Sequence, residues 1–202
     1  MSVPSVSHLV PTLDKMTRIR ILLSLSVLIL SSLACTMFVG GPEYPEGTIP
    51  VSAEALQTLQ SQIQAAVLAG AESGEITLLI TEEQITSYIA FRLAAQDNPV
   101  LTDPQVFLRD GQMQVYGKVE RGYFIANVLI ALNVSVDALG QPAIEIATAD
   151  FGPFPAPDGL KQSLTAIVTE AYTGSLGPVA TGFRLDRIDI ANGLMTVTGR
   201  IK

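Results

Sequence analysis

The stretch "VFLRDGQMQVYGKV", residues 106–119, decides the fold because it has the pattern of one complete β-hairpin. Apolar and polar residues alternate on both sides of Asp110-Gly111, a dipeptide typical of two-residue turns in which both central residues need a positive φ. The same pattern returns in "IDIANGLMTVTGRI", residues 188–201, with Asn-Gly at the turn. The chain therefore contains two hairpins of the same design.

Two explanations of this repeat are open at the level of sequence. Asn-Gly and Asp-Gly are the commonest hairpin turns, so two good hairpins can be similar by chance. Alternatively, each hairpin forms an equivalent part of one curved sheet. Gly117 and Gly199, which follow the turn at matching places, then permit a helix or a ligand to approach closely, or mark a bend in the strand.

The part of the chain before the first hairpin is predicted to form a helix, a strand and a second helix. Ser52 is a typical N-cap, the apolar residues after it recur at helical spacing, and the helix ends by Gly70 or Gly74. Residues 75–81 have the pattern of a strand, and a capping box that starts at Thr81 opens the second helix. That helix stops before an Asp-Asn-Pro sequence, since proline disfavours helix at the residue before it.

From residue 104 to 151 the apolar period is two, which predicts antiparallel strands, including a long strand over 123–136. Prolines break this pattern, a third helix opens at Pro157 or Asp158, and a glycine-rich joint over 174–182 leads to the closing hairpin. Separate runs of strands and helices predict an α+β fold with helices on one face of an antiparallel sheet. About 150 ordered residues bury roughly 70% of the unfolded chain's surface, which suits one core.

The N-terminal segment has the features of a secretory signal. Lys15, Arg18 and Arg20 precede the apolar run 21–30, after which the chain reads Ser-Ser-Leu-Ala-Cys35. This end resembles the lipobox of bacterial lipoproteins, in which the cysteine is lipidated and becomes the new N-terminus. Ser32 departs from that pattern, since leucine is usual at this place and here stands one place later, at Leu33.

The alternative to cleavage is an uncleaved anchor, because residues 21–40 carry no charge and about 20 such residues span a bilayer. Both interpretations place the rest of the chain outside the cytoplasm of a bacterial cell, held at the membrane. A signal of ordinary length would begin at Met16. The predicted organisation is a signal segment over 1–34, a lipidated cysteine with a flexible tether over 35–50, and a single α+β domain over 51–202.

Charge and residue usage exclude several classes of function. The formal net charge is −7 at pH 7, which disfavours a nucleic-acid partner. His8 and Cys35 are the only residues of their kinds, so the domain lacks the elements of a hydrolase triad, a zinc site or a disulfide. Adjacent Glu82 and Glu83 do not face each other on a helix and suit its N-terminal dipole. We therefore expect no enzyme activity, no cofactor and no metal, and the sequence identifies no protein partner.

Four stretches taken together carry a resemblance to a known family. They are "ITLLITEEQITSYI" (76–89), the hairpin at 106–119, "DFGPFPAPDGLKQSL" (150–164) and "LDRIDIANGLMTVTGRI" (185–201). Their order and spacing resemble the small extracytoplasmic lipid-binding proteins grouped with YpmS of Gram-positive bacteria and with the LmeA phospholipid-binding proteins of mycobacteria. The resemblance implies a strongly curved antiparallel sheet packed against two or three helices, akin to half of a tubular lipid-binding domain. It implies no fixed catalytic set.

The apolar residues predicted to face one another between sheet and helix are the candidate ligand site. An open groove accepts an acyl chain, and methionine adapts to irregular contents. In that case the protein is a lipid-binding lipoprotein without catalysis. A filled core instead predicts a scaffolding envelope lipoprotein that binds a protein partner through a strand edge or through the helix 52–70. The groove candidates are Met113, Val115, Val128, Ile130, Leu132, Leu160, Leu164, Ile167, Val168, Met195 and Val197.

Overall fold

The computed structural model describes residues 15–32, 36–156, 158–174 and 182–201. The chain divides into two units, Met1–Met37 and Phe38–Lys202. In the first unit, helix α1 (Lys15–Ser32) covers the predicted apolar run. Within the described residues, no helix has both the length and the apolar character that crossing a membrane requires. Cys35, the predicted lipidation site, lies outside the described residues.

The first helix of the second unit, α2 (Ala53–Ser73), has both predicted caps. The Ala55 N–H donates to Ser52 Oγ at 3.0 Å, which satisfies one of the amide groups that a helix start leaves unpaired. Gly74 ends the helix with a φ of 79°, a left-handed conformation in which glycine carries no Cβ penalty. The sequence signals at both ends of this helix are confirmed.

The second helix, α3 (Glu82–Ala94), starts at the predicted capping box. The Gln84 N–H donates to Thr81 Oγ1 at 3.2 Å, and the Thr81 N–H donates to Gln84 Oε1 at 3.0 Å. Two amide groups are thereby satisfied reciprocally. The helix ends before the Asp-Asn-Pro sequence, as predicted.

The third helix of this unit, α4 (Leu160–Thr173), begins later than predicted. Its N-cap is Gly159, whose φ of 78° is left-handed and therefore not helical. The predicted start at Asp158 is wrong for that reason, and Pro157 lies outside the described residues. Most of the predicted glycine-rich joint over 174–182 also lies outside them.

Strands of the described chain form two hydrogen-bonded sheets. The first has the order β1-β5-β4-β3, with β6 also paired to β5, and the second has the order β2-β8-β7. Pairing is antiparallel in the hairpins and between β2 and β8. The strands are β1 (Met37–Phe38), β2 (Glu75–Thr81), β3 (Thr102–Arg109), β4 (Gln112–Arg121), β5 (Phe124–Val136), β6 (Pro142–Asp150), β7 (Phe183–Ala191) and β8 (Leu194–Ile201).

Both sheets direct apolar residues into one interior. The long strand β5 buries alternate residues, and β4 and β8 do the same with theirs. Together with the helices, the curled strands form an α+β half-barrel, so the predicted fold class is confirmed. The fully buried centre consists mainly of aliphatic side chains: Val106, Leu108, Val115, Val128, Ile130 and Leu132.

The two repeated hairpins lie in different sheets, β3–β4 in the first and β7–β8 in the second. Asp110 and Asn192 both have a φ of 54°, and the glycine after each is also positive, so both turns are of the predicted kind. The hairpins meet where the Gly193 N–H donates to the Leu108 carbonyl at 3.1 Å. The two hairpins are thus equivalent in design but belong to different sheets, and the turn of the second contacts strand β3 of the first.

Gly117 provides the close approach that its position in the repeat suggests. It lies in β4, and a Cβ at this residue would overlap the side chain of buried Leu101. The approaching group is therefore the chain just before β3, and not a helix or a ligand. Gly199, the matching residue, is buried in β8.

The outer edge of β3 is covered by side chains of α3. The Val106 N–H donates to Thr86 Oγ1 at 3.0 Å, and the Leu108 N–H donates to Glu82 Oε1 at 2.8 Å. Thr86 is fully buried. Glu82 and Thr86 lie one helical turn apart, so a single face of α3 satisfies alternate amide groups of the strand.

The segment predicted as a flexible tether makes hydrogen bonds to the first sheet from residue 39 onward. The Val39 N–H donates to the Ile125 carbonyl at 2.9 Å, and the Asn127 N–H donates to the Gly40 carbonyl at 3.0 Å. Further along, the Ile49 N–H donates to the side-chain oxygen of Gln105 at 2.6 Å. The residue numbers of the first two contacts rise together, so the segment runs parallel to β5.

Candidate functional site: an apolar cavity

A cavity of about 380 Å³, partly open to solvent, lies within the second unit. Ligand pockets in proteins commonly measure about 300–1,000 Å³ and are mostly apolar, and this cavity has both properties. Several of its lining side chains are only partly buried although they are apolar, among them Leu78, Ile80, Val134 and Ile144. These apolar side chains are therefore not fully covered by other protein atoms where they face the cavity.

Both sheets and three helices build the walls. The sheets contribute the inward faces of their strands, because successive side chains of a strand point to opposite sides. The helix α2 also faces the cavity, with Leu56, Leu59 and Ile63 among the lining residues. The sequence did not indicate where the predicted helix 52–70 packs, and in the structure it forms one wall of the cavity.

Most of the predicted groove residues lie around this cavity. Val128, which pairs with Gly117 in β4, does not line it. The side chains of Leu164 and Val168 lie outside the described part of the structure. The predicted residues found in the lining are Met113, Val115, Ile130, Leu132, Leu160, Ile167, Met195 and Val197.

The repeat brings equivalent residues of the two hairpins to the same cavity. Met113 and Met195 follow the two turns at matching positions, and both line it. Val197 lies between Leu78 on one side and Ile188 on the other in the pairing register, and both of these neighbours line the cavity too. The three strands of the second sheet therefore present one continuous apolar face.

Two charged residues in the lining were not identified from the sequence. Arg92 Nη2 lies 2.6 Å from Glu170 Oε1, with 40% and 49% of the two side chains exposed. The Arg92 guanidinium carbon also lies 5.4 Å from the centre of the Tyr88 ring, another lining residue. The sequence does contain a sign of Arg92 as a site residue, because this arginine lies one helical turn after Tyr88 and interrupts the apolar stripe of α3. Its partner is 78 positions away on α4, which no local pattern reveals.

Shifted pKa values occur away from the cavity. Burial, and secondarily the Asp103 carboxylate, raises the pKa of Tyr44 above its ordinary value. A hydrogen bond from Arg200 lowers the pKa of the Asp186 carboxyl group, with Arg200 Nε at 2.7 Å from Asp186 Oδ2. Neither group lines the cavity, so neither bears on what the cavity holds.

The acidic pair of α3 has structural contacts. Glu82 accepts from the Leu108 N–H, and Glu83 Oε1 accepts from the Ser52 hydroxyl at 3.2 Å. Both carboxylates lie in the first turn of α3, where the helix dipole favours negative charge. Across the described residues, no group of three or more His, Cys, Asp or Glu side chains is placed to hold a metal ion.

No protein-family model matches this chain, and no curated protein matches it. The chain is similar to a solved structure described as the crystal structure of lipopolysaccharide binding protein, at 10% sequence identity and a TM-score of 0.19. The similarity covers 75% of this chain and 48% of that one, so this chain spans about half the length of that protein. At this identity and TM-score the similarity identifies neither a family nor a ligand.

Proposed function

We propose that this protein is a membrane-tethered, extracytoplasmic lipoprotein that binds a lipid or another apolar ligand and performs no chemistry on it. The observation that carries the proposal is the apolar cavity of about 380 Å³ between the sheets and the helices. A scaffolding protein with a filled core needs no such space, so the cavity favours the binding protein over that alternative.

The size of the cavity suits one acyl chain. An apolar cavity of about 150 Å³ in another protein takes up one benzene molecule, so at similar packing 380 Å³ holds about fifteen carbon atoms. Burial of that many carbons contributes on the order of 12 kcal/mol before the costs of association and chain ordering.

The N-terminal sequence supports the tether. The signal features and Cys35 are those of a bacterial lipoprotein, and the four motifs resemble the YpmS and LmeA type of extracytoplasmic lipid-binding protein. We include that family membership in the proposal. Lipid labelling of the full chain and of Cys35→Ser tests the lipoprotein assignment, and equal labelling of the two would refute it.

Exposed aromatic residues gather where the chain enters the second unit. Phe38 lies beside the start of β5, because the segment after it runs parallel to that strand. Phe38, Tyr123 and Phe124 are 59%, 71% and 45% exposed. Aromatic side chains favour the interface between membrane and water. Only two residues separate Phe38 from Cys35, so a lipid on this cysteine brings the aromatic patch to the bilayer surface.

The test of the binding proposal uses the full chain in vesicles of phosphatidylethanolamine and phosphatidylglycerol. A trace lipid carries a photoactivatable group at the end of its acyl chain, and crosslinked peptides are identified by mass spectrometry. We expect crosslinks on inward residues of β4 and β8, such as Met113 and Met195. Crosslinks confined to α1 and to the aromatic patch would show that lipid touches the protein without entering it.

A second measurement tests the aromatic patch. Vesicle flotation of Cys35→Ser carrying Tyr123→Ser and Phe124→Ser should recover several-fold less protein than Cys35→Ser alone. Leu139→Ser is the matched control, because Leu139 is 73% exposed but follows the other end of β5. Equal loss in the control would point to general surface hydrophobicity and not to this patch.

A further inference from the structure

The charged groups in the described lining of the cavity form one pair of opposite sign, Arg92 and Glu170. Arg92 lies in the last turn of α3 and Glu170 on α4, so the pair joins two walls. Both side chains are close to half exposed, which places them where the apolar space meets water. This is the position that the polar end of an amphiphile occupies when its chain fills the cavity.

Arg92 is held in place by a second contact. Its guanidinium lies over the Tyr88 ring at 5.4 Å from the ring centre, within the distance at which a cation is attracted to an aromatic face. Tyr88 itself lines the cavity. A planar guanidinium with several donors also suits a phosphate oxygen better than a flexible ammonium does.

The pair of charges discriminates between headgroups by simple electrostatics. An anionic headgroup gains from Arg92 but meets the Glu170 carboxylate beside it, in a chain whose net charge is already −7. An uncharged headgroup gains from neither. A headgroup with both charges can pair its phosphate with Arg92 and its ammonium with Glu170. An exposed ion pair is weak, so its exchange for ligand contacts costs little.

We propose, on the basis of the binding function proposed above, that the cavity takes a single-chain amphiphile with a zwitterionic phosphate-and-amine headgroup. The volume limits the occupant to one chain, and the Arg92–Glu170 pair selects the headgroup. Arg92 binds the phosphate, Glu170 binds the ammonium, and the ion pair between them opens as the ligand enters.

The experiment places the full chain in nanodiscs that contain equal amounts of three monoacyl lipids with the same chain. These are lysophosphatidylethanolamine, lysophosphatidylglycerol and a monoacylglycerol. Native mass spectrometry after release from the discs counts which lipid stays bound. We expect the zwitterionic lipid to exceed the anionic one by about two- to fivefold, the ratio given by a single favourable charge contact at an exposed site.

Three variants locate the discrimination. Glu170→Gln removes the negative charge and should shift the preference toward the anionic lipid by about two- to fivefold, whereas Arg92→Gln should deplete both phosphate lipids relative to the monoacylglycerol. Asp103→Asn is the matched control, since it breaks the Lys118–Asp103 ion pair, also 2.6 Å long, outside the cavity lining. It should leave the ratios unchanged.

The outcomes separate the two proposals. Equal uptake of zwitterionic and anionic lipid, or a preference that Glu170→Gln does not alter, overturns the headgroup assignment while leaving lipid binding intact. Absence of all three lipids from the wild-type protein overturns the proposed binding function itself.

Discussion

Substitution of Val197 by phenylalanine tests directly whether the cavity is the binding site. Val197 is buried, and its cross-strand neighbours Leu78 and Ile188 also line the cavity, so a larger side chain here extends into the open space. Phenylalanine carries four more carbons than valine and displaces about four carbons of a bound chain. At ~0.8 kcal/mol per methylene, the ligand loses roughly 3 kcal/mol, or about a hundredfold in affinity.

Val197→Phe should weaken ligand binding but should not weaken the fold, and this combination distinguishes cavity filling from general damage to the protein. A side chain that fills empty space commonly stabilises a protein by about 0.5–2 kcal/mol. The same substitution at Val128, which is fully buried outside the cavity lining, overpacks the core and should cost about 1–3 kcal/mol. We therefore expect Val197→Phe to unfold at an equal or higher temperature than wild type and Val128→Phe at a lower one.

The assay combines thermal denaturation with the photo-crosslinking described above. Val51→Phe is the matched control for binding, because Val51 is 47% exposed and does not line the cavity. It should crosslink as wild type does. A folded Val197→Phe protein with wild-type crosslinking to β4 and β8 would contradict the assignment of this cavity to the ligand.

Three further predictions concern the scaffold around the cavity. Gly117→Ala should destabilise the fold by about 1–3 kcal/mol in urea denaturation, because the new Cβ overlaps Leu101; unchanged stability would mean that this contact relaxes freely. Glu82→Ala should cost about 1.5–3 kcal/mol, the value of a hydrogen bond to a charged group, and fast exchange of the Leu108 amide should accompany it; a protected amide would contradict that role. Because burial raises the folded pKa of Tyr44 above the unfolded value of about 10, its contribution is constant below that pH and is lost as pH rises through the folded pKa. Tyr44→Phe should therefore reduce the alkaline loss of stability, and an identical pH profile for wild type and variant would refute the assignment.

Local features of the fold could be predicted from the sequence because they depend on few neighbouring residues. Ser52, Thr81 and Gln84 cap their helices as their types and spacing indicate. The Asp-Gly and Asn-Gly turns adopt the positive φ values that such turns require. The start of α4 was predicted too early, since a left-handed glycine at 159 follows residues that look suitable for a helix start.

The distribution of strands over two sheets could not be predicted, because alternation identifies a strand but not its partners. The two hairpins share one sequence pattern. This pattern does not indicate that strand β2, with Ile76 and Leu78, pairs with β8 and not with β3. The inward residues of the hairpins were found for the candidate site, since inward facing is a local property. The α2 wall and the Arg92–Glu170 pair depend on contacts between distant segments.

The covered edge of β3 has a consequence for how the protein behaves at high local density. Two helix residues four positions apart are separated by about 6 Å along the axis, close to the roughly 6.6 Å between alternate residues of a strand. Glu82 and Thr86 can therefore imitate a neighbouring strand toward Val106 and Leu108. A second molecule finds these amide groups already occupied, so cross-β growth has no template here. Molecules at high local concentration would thus remain separate along this edge. The residues responsible are two polar side chains of helix α3.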